Sequence, residues 1–251
     1  MPDLHTSPGF LAWLCLTFVA AGLVKGVTGM GLPTVAMGLL GAAMPPVAAA
    51  ALLVIPSLVT NLWQLAVGPA EGPLLRRLWP MLLGSVLGTW AASALLARAD
   101  PRWTGLALGL ALMGYAAYAL MARPLSVPRC AESWLSPAVG LTTGAITGAT
   151  GVFVMPAVPY LQALRLERDE LVQALGLSFT VSTLALAAGL AGHGALPVQQ
   201  MGWSTLATLP ALAGMWLGQR LRERISPQRF RQGFLWFLLL LGLELASRTL
   251  R

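Results

Sequence analysis

Residues 22–33 read Gly22-Leu23-Val24-Lys25-Gly26-Val27-Thr28-Gly29-Met30-Gly31-Leu32-Pro33, and they hold the only lysine of the 251-residue chain. The stretch interrupts an apolar run, from Phe10 to Met44, that carries no other charge. Glycine at this density breaks a helix, so the pattern predicts two helices separated by an irregular segment. Backbone exposed by such a break at membrane depth has to be covered by protein or line a wet cavity.

The same pattern occurs a second time. Residues 144–151 read Gly144-Ala145-Ile146-Thr147-Gly148-Ala149-Thr150-Gly151, which repeats the GxxxGxTG spacing 122 residues later, and a proline follows each copy. Residues 47–68 also align without gaps on residues 171–192. This order predicts an internal duplication. Two glycine-broken apolar segments at corresponding places in two halves indicate the binding site of a transporter.

The composition is that of an integral membrane protein. Hydrophobic residues make up 57% of the chain and charged residues 10%, with a mean hydropathy of +0.73, whereas a soluble domain is about 25% charged. Apolar stretches of about 20 residues suit helices that cross a bilayer, and no segment alternates like a porin strand. We predict an all-α fold with these helical segments: 10–24, 32–43, 47–68, 78–97, 103–121, 134–147, 152–164, 171–190, 201–221 and 230–245.

A polar connection divides the chain into an N-terminal transmembrane repeat (1–122), a cytoplasmic linker (123–133) and a C-terminal transmembrane repeat (134–251). Each repeat is predicted to hold a glycine-broken helical hairpin and three transmembrane helices. Inverted repeats would place eleven arginines on one side and four on the other, whereas parallel repeats give nine against six. The larger asymmetry fits the positive-inside rule better. It predicts a multi-pass protein of a bacterial-type inner membrane, with cytoplasmic basic loops at 76–77, 123–129, 165–168 and 220–231.

Several other classes of function are not expected. The net charge of +7 does not indicate nucleic-acid binding, because 15 of the 16 basic residues are arginines, most of them in short gaps between apolar runs. Cys15 and Cys130 lack metal-ligand spacing, so neither a metal nor a cofactor is predicted. His5 and His193 are the only histidines and neither glycine motif contains GxSG, so an enzyme is not expected.

Lys25 is the first candidate for substrate binding. A lysine at the centre of a transmembrane helix costs about 2.5–3.5 kcal/mol on insertion scales, so such residues usually face a cavity or a partner. The predicted helix 32–43 begins just after it, and helix N-termini attract anions. Lys25 and this N-terminus, with Gly26 and Gly29 between them, suit an anion site. The alternative is that Lys25 lies near the membrane surface and extends its ammonium into water.

Thr28 and Thr150 occupy equivalent positions in the two motifs. Their hydroxyls are candidate donors to an oxyanion. The alternative is that each hydroxyl bonds to a nearby helix carbonyl and helps to bend the break. The substrate-binding candidates of the second motif are Thr147, Gly148, Thr150 and Gly151.

A polar stripe marks the third predicted segment, where Ser57, Thr60, Asn61 and Gln64 share one helix face. Such a stripe on an apolar helix faces the interior of a bundle. It either lines a substrate path, for which Asn61 and Gln64 are candidates, or joins helices by hydrogen bonds. Asn61 aligns on Ala185, so the two halves are not chemically equivalent.

These glycine motifs resemble those of the TauE/SafE family. The pairs Gly84/Gly88 and Gly214/Gly218 precede basic turns, and together with the two broken segments they extend the similarity over residues 8–248. The resemblance implies an inner-membrane carrier of sulfite, of sulfonates such as sulfoacetate, or of related organic anions. It also implies duplicated halves with the substrate held between them. Lys25 departs from the family pattern, in which a small or apolar residue is expected.

Together these observations predict a secondary transporter of a small anion, in particular a sulfur-containing organic anion or sulfite. We expect alternating access between two inverted halves, with protons as a candidate coupling ion and the lipid bilayer as the other partner. No GxxxxGK[ST] loop is present to power transport directly. Two alternatives remain: a membrane accessory or scaffold protein that does not transport, and an anion channel without a closed barrier at the midplane.

Overall fold

The computed structural model describes residues 8–68, 71–121 and 125–249, and these residues form ten α-helices and no strand. Within them, α1, α3, α4, α5, α8 and α10 are long and apolar enough to cross a membrane. The predicted all-helical membrane fold is confirmed. The helices are α1 (Pro8–Thr28), α2 (Leu32–Gly41), α3 (Pro46–Ala66), α4 (Glu71–Arg98), α5 (Pro101–Met121), α6 (Arg129–Thr150), α7 (Ala157–Ala163), α8 (Arg168–Gly192), α9 (Val198–Arg222) and α10 (Pro227–Thr249).

Several helices are longer than the apolar segments that predict them. α4 begins at Glu71 instead of residue 78, and α6 begins at Arg129, inside the predicted linker. Hydropathy marks where a helix leaves the hydrocarbon, whereas backbone hydrogen bonding continues into the polar interface. At the start of α6, the carboxylate of Glu132 in the first turn also favours the helix N-terminus.

The first helix of each half packs backbone to backbone on the fourth helix of the other half. In the α1–α9 contact, a Cβ added to Gly22 would lie 2.1 Å from the carbonyl oxygen of Ala211. A Cβ on Gly26 would lie 2.2 Å from the carbonyl oxygen of Met215. Only glycine allows this approach.

The α4–α6 contact is built in the same way. A Cβ on Gly140 would lie 2.0 Å from the carbonyl oxygen of Met81, and a Cβ on Gly144 would lie 2.2 Å from that of Ser85. The glycines of both repeated motifs therefore serve first as helix contacts. Each contact ties one half of the chain to the other.

The registers of these contacts give the helix directions. Contact positions advance together along α1 and α9, and along α4 and α6, so both pairs are parallel. α3 and α8 are antiparallel, because Ser57 meets Thr183 whereas Asn61, later in α3, meets Gly176, earlier in α8. The last three helices of each half are joined by short connections. α3 therefore runs opposite to its counterpart α8, as inverted repeats predict.

One end of the bundle holds arginines from several of the predicted basic loops. Arg77, near the start of α4, donates to Glu132 from Nε at 2.8 Å and from Nη2 at 2.6 Å. Its Nη2 also lies 3.5 Å from the carbonyl oxygen of Leu164, just after α7. Arg168 and Arg222, at the start of α8 and the end of α9, line one groove. We call this the basic end.

The opposite end holds fewer arginines. Arg102 and Arg248 line a groove there, and Arg248 donates to the carbonyl oxygen of Ala42, which follows α2. Arg123 and Arg251, which also entered the charge count, lie outside the described residues. Arg77, Arg168 and Arg222 thus lie at one end, and Arg102 and Arg248 at the other, as inverted repeats predict.

The α1–α9 contact can be tested by substituting two glycines of the same helix. In Gly214→Ala, the new Cβ would lie 2.1 Å from the carbonyl oxygen of Val19. We expect the free energy of unfolding to fall by about 1–3 kcal/mol, the usual cost of overpacking. Gly202→Ala is the control, since nothing lies within 4 Å of its Cβ. It should leave stability unchanged or slightly raised. Thermal unfolding in detergent measures both, and equal melting temperatures would contradict the contact.

Candidate functional site

Lys25 lies in the last turn of α1 and is buried, with 3% of its surface exposed. Its ammonium donates to Oδ1 of Asn61 on α3. Asn61 Nδ2 donates to Ser57 Oγ at 3.1 Å, and Ser57 Oγ lies 3.2 Å from Thr183 Oγ1 on α8. A chain of hydrogen bonds therefore leads from the only lysine into the interface between the two halves.

The glycine contact with α9 sets the direction of Lys25. Gly26 faces the backbone of α9, and the preceding residue is rotated from it by about 100° around the helix. Lys25 thus points toward α3 instead of into the glycine contact. The ammonium does not extend into water, because Asn61 binds it inside the protein.

A cavity of about 410 Å³ lies beside Lys25. The ends of α1, α3 and α9 and the start of α8 form its wall, so both halves contribute. Its exposed rim residues, Trp63 and Asp169, show that the cavity reaches the surface at the basic end. The lining residues are Lys25, Gly26, Gly29, Trp63, Gln64, Val67, Gly68, Asp169, Val172, Met215, Gln219 and Arg222.

The break after α1 is fixed to the wall of this cavity. Gly29 has a left-handed backbone, with φ of +79°, which ends the helix. Its carbonyl oxygen accepts a hydrogen bond of 2.7 Å from Gln64 Nε2. The same nitrogen donates to the carbonyl oxygen of Val172 on α8 at 3.0 Å. Gln64 therefore links the break to α3 and α8.

The threonine hydroxyls of the two motifs make local bonds. Thr28 Oγ1 donates to the carbonyl oxygens of Val24 at 2.9 Å and Met30 at 2.7 Å. Thr150 Oγ1 donates to the carbonyl oxygen of Ile146 at 2.7 Å. In this structure each hydroxyl is thus bonded to a carbonyl near the end of its own helix, which was the alternative to binding an oxyanion.

The second motif lies away from the Lys25 cavity. Thr147 Oγ1 donates to the carbonyl oxygen of Thr143 at 2.7 Å. Gly148 packs on α4, and Gly151, with φ of +73°, packs on Met37. The structure thus brings together five of the predicted residues: Lys25, Gly26, Gly29, Asn61 and Gln64. Thr28 instead bonds to its own backbone. The four candidates of the second motif lie outside this cavity: Thr147, Gly148, Thr150 and Gly151.

The N-terminus of α2 is also separate from the cavity. Gly31, which precedes α2, is buried against the side chains of Val24 and Phe234. No residue of α2 is among those that line the cavity. Lys25 and the N-terminus of α2, which the sequence suggested as one anion site, therefore do not line the same cavity.

Two charged residues of the cavity were not among the sequence candidates. Arg222 belongs to the predicted basic loop 220–231, and Asp169 directly follows the predicted basic loop 165–168. Arg222 lies two turns after Gly214 on α9, and Gly214 itself faces α1. The glycine pair could therefore have indicated Arg222, whereas no sequence signal relates Asp169 to Lys25.

The comparisons with known proteins identify a family. A family model described as "Sulfite exporter TauE/SafE" matches residues 14–245, which include every residue of the cavity. The searches among curated proteins and among solved structures give no match.

The Lys25–Asn61 contact predicts an unequal response to removing either partner. Asn61→Leu leaves a buried ammonium without its acceptor and should lower the free energy of unfolding by about 3 kcal/mol. Lys25→Met removes the buried charge and should cost less, or stabilise the protein. The double variant should be more stable than Asn61→Leu alone.

Thermal unfolding of the three variants in detergent tests this order. Thr60→Val is the control on the same helix, because Thr60 Oγ1 donates only to the carbonyl oxygens of Pro56 and Ser57. If Asn61→Leu proves no less stable than Lys25→Met, Asn61 does not hold the ammonium.

Proposed function

The chain belongs to the sulfite exporter TauE/SafE family of membrane transporters, and we propose that it carries a small sulfur-containing anion through the Lys25 cavity. The substrate class is sulfite or an organic sulfonate such as sulfoacetate. One observation carries the proposal: the only lysine of the chain is buried inside a membrane helix and lines a cavity formed by both halves.

The chemistry of the cavity supports an anionic ligand. Lys25 and Arg222 supply positive charge, and Asp169 at the rim is the one acidic lining residue. An ammonium carries three donor hydrogens, so Lys25 can bind Asn61 and still donate to a ligand. Val172 and Met215 add an apolar wall that suits the carbon skeleton of an organic sulfonate.

The centre of the bundle supports a closed barrier beyond this cavity. The hydrogen-bonded chain from Lys25 reaches Thr183, which donates to the carbonyl oxygen of Phe179 at 2.7 Å. Phe179 packs on Phe153 of the second break, with ring centroids 5.2 Å apart, and both rings are fully buried. In the proposed cycle the two halves rock about the Lys25 site and this aromatic pair separates. Protons remain the candidate coupling ion.

Ligand binding can be measured as thermal stabilisation of the purified protein. A ligand at about 100 times its dissociation constant adds about 2.7 kcal/mol. We expect sulfite or an organic sulfonate to raise the melting temperature of the wild type but not of Lys25→Ala. Arg224→Ala is the control for charge, because exposed Arg224 does not line the cavity. A shift retained by Lys25→Ala would place the binding site elsewhere.

Flux through proteoliposomes separates the transport classes. A carrier should exchange internal for external labelled anion with saturation, and Lys25→Ala should lose this exchange. Flux that does not saturate would support the anion channel, and no flux despite binding would support an accessory protein.

We propose that the basic end faces the cytoplasm of an inner membrane, in agreement with the positive-inside rule. The two native cysteines provide a test. Cys130 is exposed in the first turn of α6 at the basic end, and Cys15 is exposed on α1 within the apolar segment. In Cys15→Ala protein, a membrane-impermeant maleimide should label Cys130 in inverted vesicles and not in right-side-out vesicles. The reverse pattern would invert the proposed orientation.

A further inference from the structure

The amide of Gln64 has a fixed orientation in the cavity wall. Gln64 is 8% exposed and lines the cavity one turn after Asn61. Its Nε2 donates to two carbonyl oxygens, those of Gly29 and Val172. Exchanging the two ends of the amide would set oxygen against oxygen, so the two carbonyl acceptors determine which atom is Oε1.

The other end of this amide has no donor. Oε1 of Gln64 is buried and has no hydrogen-bond partner among the described residues. Buried polar atoms are nearly always hydrogen-bonded in native proteins. Since Gln64 lines the cavity, the partner that Oε1 lacks can be supplied by a ligand.

The residues that line the cavity therefore include two complementary groups. Lys25 offers a charged donor, and Gln64 offers a buried acceptor. Two cationic side chains and one carboxylate, those of Lys25, Arg222 and Asp169, give the lining a net formal charge of +1. This combination suits a monoanion that also carries a hydrogen-bond donor of its own.

We infer that Gln64 makes the cavity selective for monoanions bearing an O–H or N–H group, an inference that rests on the proposed function. Lys25 binds the oxyanion and Gln64 Oε1 accepts the ligand's hydrogen. Hydrogensulfite meets both requirements, whereas fully deprotonated sulfite has only acceptors. Among organic substrates, a hydroxyalkanesulfonate meets them, whereas an alkanesulfonate and fully ionised sulfoacetate do not, so this selectivity narrows the proposed substrate class. The site would thus take up a proton as part of its ligand.

Two sulfonates of equal charge and similar size test this selectivity. Isethionate (hydroxyethanesulfonate) carries a hydroxyl group where propanesulfonate carries a methyl group. We expect purified wild-type protein to bind isethionate at least about tenfold more tightly, since a site that hydrogen-bonds a hydroxyl rejects an analogue without one. An apolar cavity without an acceptor would instead favour propanesulfonate. Isothermal titration calorimetry gives both dissociation constants.

Gln64→Met should abolish the preference, because methionine has similar length and no amide acceptor. Gln173→Met is the matched control. Gln173 is also buried at the α3–α8 interface and donates from Nε2 to the carbonyl oxygen of Leu65, but it does not line the cavity. This control should keep the tenfold preference. A preference that survives in Gln64→Met would overturn the role of Gln64.

The outcomes also separate this inference from the proposed function. Equal affinity of the wild type for both sulfonates, with both lost in Lys25→Ala, would overturn the selectivity and leave the anion site standing. Binding of neither sulfonate, nor of sulfite or sulfoacetate, would overturn both. If Gln64→Met does not fold, the two wild-type affinities still decide whether the donor matters.

Discussion

The structure depends on the closest approach that two helices can make. At the α1–α9 and α4–α6 contacts, glycines bring one backbone against another, and any Cβ there would overlap a carbonyl oxygen. Lipid is as apolar as leucine, so burial of apolar surface drives helix association weakly in a membrane. Close backbone contact provides the attraction instead. Because each contact joins opposite halves, neither half can pack correctly without the other.

These contacts also position the chemical groups. Once Gly22 and Gly26 face α9, the intervening Lys25 has to turn toward α3, where Asn61 receives it. The left-handed Gly29 then exposes a carbonyl oxygen that Gln64 binds. The break in α1 therefore leaves its exposed backbone group satisfied by a side chain, as the low dielectric of a membrane requires. The helix contacts and the candidate site are thus formed by the same few residues and their immediate neighbours.

Much of this architecture could be predicted from the sequence, because membrane helices are specified locally. The lengths of the apolar stretches predicted the helices. The two GxxxGxTG copies predicted two halves, and the distribution of arginines predicted that the halves are inverted. Contacts between distant segments could not be predicted. Asp169 reaches the cavity only through the packing of α8 on α3, and the bonding of Thr28 depends on the backbone geometry of the break. Helix ends such as that of α6 were also missed, since hydropathy reports the membrane boundary.

The two breaks have diverged in chemistry while they keep one backbone plan. Thr28 and Thr150 cap their helices through equivalent bonds, and Gly29 and Gly151 are both left-handed. Yet Lys25 of the first motif corresponds to Thr147 of the second. Gly31, two residues after Gly29, corresponds to Phe153, two residues after Gly151. The first break thus carries charge beside a cavity, whereas the second inserts an aromatic ring into the buried centre. Inverted repeats supply two equivalent positions, and under the proposed function the first position carries the anion site and the second carries the barrier.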